Sequence, residues 1–313
     1  MSNSTSSVSV NPVSQIGKPD SPYVGRFAPS PTGPLHFGSV IAAVASYIDA
    51  RANHGRWLVR MEDLDPPREP PGAAAQILKQ LTQLCLVWDG EVLYQSQRLE
   101  NYAQALQELQ NSDLCFHCDC TRSKIKASGP IYDGTCRHRT PPPAHGYAVR
   151  IKTRNTLIEF EDLVQGVYGQ NLGTEIGDFV ILRKDKLFAY QLAVVVDDEY
   201  QGITHVVRGF DLLDSTPRQV YLQGLLNYST PRYGHIPVIV NEKGDKLSKQ
   251  SFAPTADVQN SSVLIYQCLA LLGQAPPANL LNTVPDAQLR WGIEHWDIQA
   301  VPKLAKLPQE LPK

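Results

Sequence analysis

The stretch Arg26-Phe27-Ala28-Pro29-Ser30-Pro31-Thr32-Gly33-Pro34-Leu35-His36-Phe37-Gly38-Ser39 constrains the chain more than any other. Tyr23 to Phe27 is a short apolar run of strand character. The prolines fix φ in the loop that follows, and Gly33 and Gly38 let backbone come close to a ligand. Val40, Ile41, Val44, Tyr47 and Ile48 then recur at helical spacing, with Ser39 as the N-cap and Gly55 as the stop. A helix opening there offers unpaired N–H groups and a positive dipole end to an anion, with His36 as a further donor, so the stretch predicts a phosphate site.

A chain of 313 residues, 42% hydrophobic and 19% charged, can bury a large core and suits one main domain with an appendage or two. The net charge of −2 gives no global signal for nucleic acid, so an RNA partner would have to be met by a local basic face. No stretch reaches the roughly 18 consecutive apolar residues of a membrane span. Residues 1–20 lack a basic start and an apolar core, which argues against a secretory signal, and their composition reads as a disordered extension. Six cysteines, four of them within Cys115 to Cys136, argue for a reducing, cytoplasmic compartment and a metal rather than a disulfide framework.

Trp57 to Met61 is a second short strand that runs into Glu62-Asp63-Leu64-Asp65. In an open parallel sheet, ligands sit outside the carboxyl ends of the strands, which brings Arg26, His36 and Glu62 to one place. Gly72 to Leu86 and Arg98 to Leu109 carry helical periodicity, giving the β-α-β-α alternation of an α/β domain over residues 21–112.

Residues 113–146 break that pattern. Cys118-Asp119-Cys120 and Cys136, with Tyr132, His117 and His138 nearby, make a cluster of soft donors suited to four-coordinate zinc. Three thiolates are easily named, and the spacing leaves the fourth ligand open.

Strand character resumes at Tyr147 to Ile151 and at Asp178 to Leu182. Leu187 to Asp198 is an apolar segment, strand or helix, that ends in paired acids; within it, Tyr190 is either a core tyrosine or a phenol facing the ligand crevice. Thr204 to Val207 is another strand, with Arg208 at its end and a helix beyond that has Pro217 in its first turn. A guanidinium there suits a carboxylate ligand, which it can meet with two parallel hydrogen bonds. His235 to Val240 leads to Asn241-Glu242-Lys243-Gly244-Asp245-Lys246-Leu247-Ser248-Lys249-Gln250, a loop whose lysines are mobile point charges suited to a transferring phosphoryl group. Ser261 to Leu272 reads as a helix with Val263, Leu264, Cys268 and Leu271 on one face, and Asp286 to Trp296 as another.

Arg26 to Ser39 resembles the first signature of class I aminoacyl-tRNA synthetases in its glutamyl form, and Lys246-Leu247-Ser248-Lys249-Gln250 resembles the second. Trp57 to Asp65, Val207-Arg208-Gly209 and Thr216-Pro217-Arg218-Gln219 are similar to the same family in order and spacing, so the likeness runs from Tyr23 to Pro254. Two departures stand out: Gln250 where a basic residue is usual, and Phe37 in place of an aliphatic one. The resemblance implies a Rossmann-like catalytic core in two halves, 21–112 and 147–254, a zinc-binding insert at 113–146 and a short helical segment at 255–313. That last segment is too short for the helical region with which full-length glutamyl enzymes read the anticodon, so no anticodon-binding domain is expected. The short form is similar to the truncated, stand-alone branch of the family.

The resemblance further implies that ATP, with Mg²⁺, activates L-glutamate without tRNA, and that the glutamate is transferred to the queuosine of tRNA(Asp). In that scheme His36, Ser39 and Lys249 are catalytic, and His36, Gly38, Ser39, Lys246, Ser248 and Lys249 hold ATP. Arg26, Phe27, Ala28, Pro29, Ser30, Glu62, Tyr190 and Arg208 hold glutamate, with Arg26 on the side-chain carboxylate and Glu62 on the ammonium. Cys118, Cys120, Tyr132 and Cys136 hold one structural zinc. The protein is expected to be a cytoplasmic monomer with no membrane partner.

Overall fold

The computed structural model describes residues 22–127, 129, 131–241 and 260–309. The expected disorder of residues 1–20 and the lysine loop with Lys246, Ser248 and Lys249 lie outside them.

Strand β1 (Val24–Phe27), helix α1 (Phe37–Ala52) and strand β2 (Arg56–Met61) form the opening unit. Helix α2 (Ala73–Gln83), strand β3 (Leu93–Tyr94) and helix α3 (Leu99–Asn111) follow, and β1, β2 and β3 make a parallel sheet. Next come β4 (Cys115–Cys118), α4 (Arg122–Ala127), β5 (Ala148–Ile151), the antiparallel pair β6 (Leu157–Asp162) and β7 (Gly166–Asn171), and β8 (Val180–Leu182). Strands β4, β5 and β8 form a small antiparallel sheet that ties residues within 113–146 to strands beyond it.

Helix α5 (Tyr190–Tyr200), strand β9 (His205–Gly209), helix α6 (Thr216–Leu226) and strand β10 (Arg232–Ile236) complete a second sheet in the order β7-β6-β10-β9, parallel apart from β7. The two large sheets abut along β1 and its neighbour: the Thr204 N–H donates to the Val24 carbonyl at 2.9 Å, and the Val24 N–H to Thr204 Oγ1 at 2.8 Å. Strand β11 (Val238–Val240), helices α7 (Ser261–Leu271) and α8 (Pro285–Glu294) and strand β12 (Lys306–Pro308) follow, with β12 returning to pair in parallel with β11.

Successive strand side chains point to opposite faces, and each face has its own core. Trp57, Val59 and Met61 of β2 pack with α1, α2, α7 and α8, while Leu58 between them packs with α3, α5 and α6. Helix α1 is apolar on several sides because it lies between the sheet and α7 and α8. A Cβ at Gly292 of α8 would come within 3 Å of Leu269 and Ile48 side chains, which is how closely that helix seats.

Two expectations are settled or corrected. The segment Leu187 to Asp198 is resolved as the helix α5, beginning at Tyr190. Residues His235 to Val240, ahead of the lysine loop, hold the end of β10 and all of β11, parted at Pro237, which has no N–H for the ladder. On α7, Leu264, Cys268 and Leu271 are buried, but Val263 is 43% exposed and does not share their face. Among the described residues no helix is long and apolar enough to cross a membrane.

Candidate active site

The carboxyl ends of β1, β2 and β9 open onto one cavity of about 590 Å³. Arg26, Phe27, Ala28, Pro29, Ser30, His36, Gly38, Ser39, Glu62, Tyr190 and Arg208 all line it, from segments up to 182 positions apart in sequence (208 − 26). The Glu62 N–H donates to the Pro29 carbonyl at 3.0 Å, which closes the loop after β1 onto the end of β2.

The opening of α1 differs in detail from the sequence reading. The N-cap is His36, in extended backbone, and Ser39 sits in the first turn. His36 Nδ1 accepts from the Ser39 N–H at 3.2 Å, doing what a capping hydroxyl or carboxylate does, and the Ser39 hydroxyl meets Nε2 at 2.9 Å. Ser39 cannot cap because the chain has already turned helical at Phe37.

Beneath the cavity lies a chain of alternating charge that sequence reasoning did not assemble. Arg60 Nη2 is 2.8 Å from Asp198 Oδ1, which also faces Arg26 Nε at 3.4 Å; Glu62 Oε1 is 3.6 Å from Arg60 Nη2. Burial raises the Glu62 carboxyl to about 7 against the opposing pull of Arg60 and Arg26. Asp198 is penalised by burial too, yet Arg60 and Arg26 outweigh that and hold it below the ordinary carboxylate range.

Arg208 is buried and clamped. Its Nε donates to His235 Nε2 at 3.0 Å, and its Nη2 to Thr216 Oγ1 at 2.8 Å and Gln219 Oε1 at 2.9 Å. Nη1 has the long 3.4 Å contact with the Tyr190 hydroxyl. The strand-end position pointed to Arg208, whereas Thr216 and Gln219 stood in the sequence only as part of a block similar to the family. His235 on the neighbouring strand and Asp162 one strand further carried no local signal.

A second cluster lies in the region of β4. The sulfurs of Cys118, Cys120 and Cys136 lie within 4.8 Å of one another, all buried, and Cys120 and Cys136 are 3.5 Å apart. The Tyr132 hydroxyl is 3.4 Å from Cys118 Sγ and 3.8 Å from Cys120 Sγ. Thiolates around a tetrahedral zinc stand ~3.8 Å apart, so this donor set fits that ion. His117 is instead stacked on Tyr147 at 3.7 Å, and His138 is exposed. Gly177, bridged to Tyr132, has φ of 71°, and a Cβ there would strike Ile131 at 2.6 Å, so the turn supporting the tyrosine requires glycine.

Residues 23–273 match the family described as tRNA synthetases class I (E and Q), catalytic domain, and the chain belongs to that family. Within it, the chain is similar to the Glutamyl-Q tRNA(Asp) synthetase of Thiobacillus denitrificans, 52% identical over 285 residues that cover 89% of this chain and 95% of the relative. The protein of the same name from Pseudomonas aeruginosa is 51% identical over 290 residues, 93% of this chain and 99% of its own. Among solved structures, a glutamate tRNA ligase from Elizabethkingia meningosepticum in complex with its amino acid matches with a TM-score of 0.77 at 26% identity, covering 91% of this chain and 67% of that one. Mycobacterium tuberculosis methionyl-tRNA synthetase in complex with methionyl-adenylate shares the fold alone, with a TM-score of 0.53 at 11% identity over 79% of this chain and 64% of that one.

Proposed function

We propose that this chain activates L-glutamate with ATP, without tRNA, and transfers the glutamyl group to the queuosine at the wobble position of tRNA(Asp). The observation that carries this reading is the likeness, at 52% identity along 89% of the chain, to a protein named for that activity. The cavity supports it chemically. Glutamate presents two carboxylates and one ammonium, and the walls supply Arg26, Arg208 and Glu62 beside a helix N-terminus that suits phosphate.

In the first step a carboxylate oxygen of glutamate attacks the α-phosphorus of ATP, the bond to the β-phosphate oxygen breaks, and pyrophosphate leaves with its electron pair. Arg26 takes the side-chain carboxylate and Glu62 the ammonium, with Tyr190 and Arg208 completing the pocket along Phe27 to Ser30. His36, Gly38 and Ser39 hold the nucleotide with Lys246 and Ser248, and Lys249 meets charge on the departing phosphates. Bound Mg²⁺ supplies charge neutralisation to those phosphates. In the second step a hydroxyl of the queuosine attacks the acyl carbon and AMP leaves; this anhydride is reactive, so positioning matters more than acid–base help.

Cys118, Cys120, Tyr132 and Cys136 would hold a zinc whose contribution is to folding, within an insert at 113–146 between two catalytic halves and ahead of a helical segment at 255–313. A monomer in the cytoplasm fits this reading.

The test is glutamate-dependent ATP–pyrophosphate exchange without tRNA, followed by charging of tRNA(Asp) with and without queuosine. Exchange, with charging confined to the modified tRNA, is the expected outcome. Equal charging of the unmodified tRNA, or charging of a 3′-terminal adenosine, would replace this reading with a conventional glutamyl-tRNA synthetase. Absence of exchange would point to a silent RNA-binding relative.

A further inference from the structure

We propose that the buried pair Asp162 and His235 is a tautomer lock that positions Arg208 for a carboxylate of the amino-acid substrate; this rests on the reading of the cavity as a glutamate pocket. Asp162 closes β6, and its Oδ1 accepts three backbone N–H groups, from Val164 at 3.0 Å, Gln165 at 2.9 Å and His235 at 3.0 Å. Its Oδ2 lies 2.5 Å from His235 Nδ1. An ionised carboxylate only accepts, so the hydrogen must sit on Nδ1, and a neutral imidazole then presents a bare Nε2.

Arg208 Nε donates to that nitrogen at 3.0 Å, and the Thr216 hydroxyl lies 3.3 Å from it. Burial, helped by the Arg208 charge and opposed by Asp162, lowers His235 to about 4, so the ring is neutral across physiological pH. Burial also penalises the Asp162 carboxylate, but the His235 contacts and backbone donors outweigh it and keep it ionised.

Every group is therefore committed. Asp162 sets the tautomer, the tautomer makes Nε2 an acceptor, and the acceptor fixes Nε of a guanidinium whose Nη2 is held by Thr216 and Gln219 and whose Nη1 is the nitrogen near Tyr190. Neither Asp162 nor His235 lines the cavity, so both are positioning residues.

The test exploits the geometry of an amide at Asp162. In Asp162→Asn the oxygen stays with the three backbone donors, so the NH₂ faces Nδ1 and forces the imidazole hydrogen onto Nε2, against Arg208 Nε–H. In the exchange reaction this should raise the glutamate KM about tenfold or more while leaving the ATP KM unchanged. His235→Gln places an acceptor oxygen near the Nε2 position and should keep the glutamate KM within about threefold, whereas the shorter His235→Asn should resemble Asp162→Asn. Spectra of ¹⁵N-histidine-labelled protein should show the Nδ1–H tautomer in the native chain and Nε2–H in Asp162→Asn.

A glutamate KM unaffected by Asp162→Asn, or a loss of kcat alone, overturns the lock if Arg208→Lys does raise that KM. Should Arg208→Lys leave the glutamate KM unaltered, the pocket reading fails instead, and the tautomer spectra still judge the lock. If Asp162→Asn does not fold, the contrast between Gln and Asn at His235 decides: equal glutamate KM values overturn it.

Discussion

Arg60 Nη2 lies 2.8 Å from Asp198 Oδ1, and neither residue lines the cavity whose floor they hold. One carboxylate thereby faces two guanidiniums, since Arg26 Nε is 3.4 Å from the same oxygen. Arg60 is fully buried, and besides Asp198 and Glu62 its head group meets Gln201, whose side-chain oxygen accepts from Nη1 at 2.7 Å.

Removing the charge of Asp198 should be costly, because it leaves two buried cations with only Glu62, 3.6 Å from Arg60 and protonated over part of the neutral range, to balance them. Asp198→Asn is expected to lower stability by about 3 kcal/mol. Urea denaturation would show this as a lower midpoint at unchanged slope.

Glu62 predicts a pH dependence. A pocket carboxyl raised to about 7 binds an ammonium only once it has lost its proton. The logarithm of kcat/KM for glutamate should therefore rise with pH up to about 7 and level off above it, and Glu62→Gln should abolish the inflection. The same raised value means that the folded chain holds this proton more tightly than the unfolded one. Its contribution to stability falls as pH rises from the ordinary 4.5 to about 7, and the Gln variant should lack that decline.

Metal analysis of the purified protein should find about one zinc per chain. Cys120→Ser is expected to abolish binding and lower the melting temperature, since it leaves the thiols of Cys118 and Cys136 and the Tyr132 phenol converging without the cation that would tie them together. Stoichiometric protein free of metal and equally stable would remove zinc from the account.

Trp296 reaches back to the first helix, where its indole N–H donates to Asp49 Oδ1 at 2.7 Å. Asp49 also accepts from the Tyr23 hydroxyl, and burial raises its carboxyl despite both hydrogen bonds. Trp296→Phe should cost about 1–2 kcal/mol, measured by denaturation. The loss should shrink as pH falls and Asp49 takes up a proton.

How much of this was legible beforehand depended on range. Arg26, Glu62 and Arg208 could be placed together because each ends or follows a strand, and a parallel sheet gathers such ends on one edge. His36 and Ser39 were found, but with the cap on the wrong residue, since an imidazole is an uncommon helix cap and local rules favour serine. Asp198 was visible only as half of an acidic pair. Asp198 lies on α5 and its partners Arg26 and Arg60 on β1 and β2, and nothing in the local pattern says which arginine an acid will meet. The Asp162 and His235 pairing was invisible for the same reason: the strands adjoin by topology, 73 positions apart (235 − 162).

The parallel pairing of Val238 and Ile239 with Lys306 and Leu307 ties a wall of the cavity to β12. A protein made from its N-terminus supplies this strand 280 positions after Arg26 (306 − 26). Between the making of β11 and that of β12, 66 positions later (306 − 240), the pocket therefore stands with one rim unpaired and apolar. Contacts of such long sequence separation form slowly, and this edge is where an immature chain is most open to mispairing.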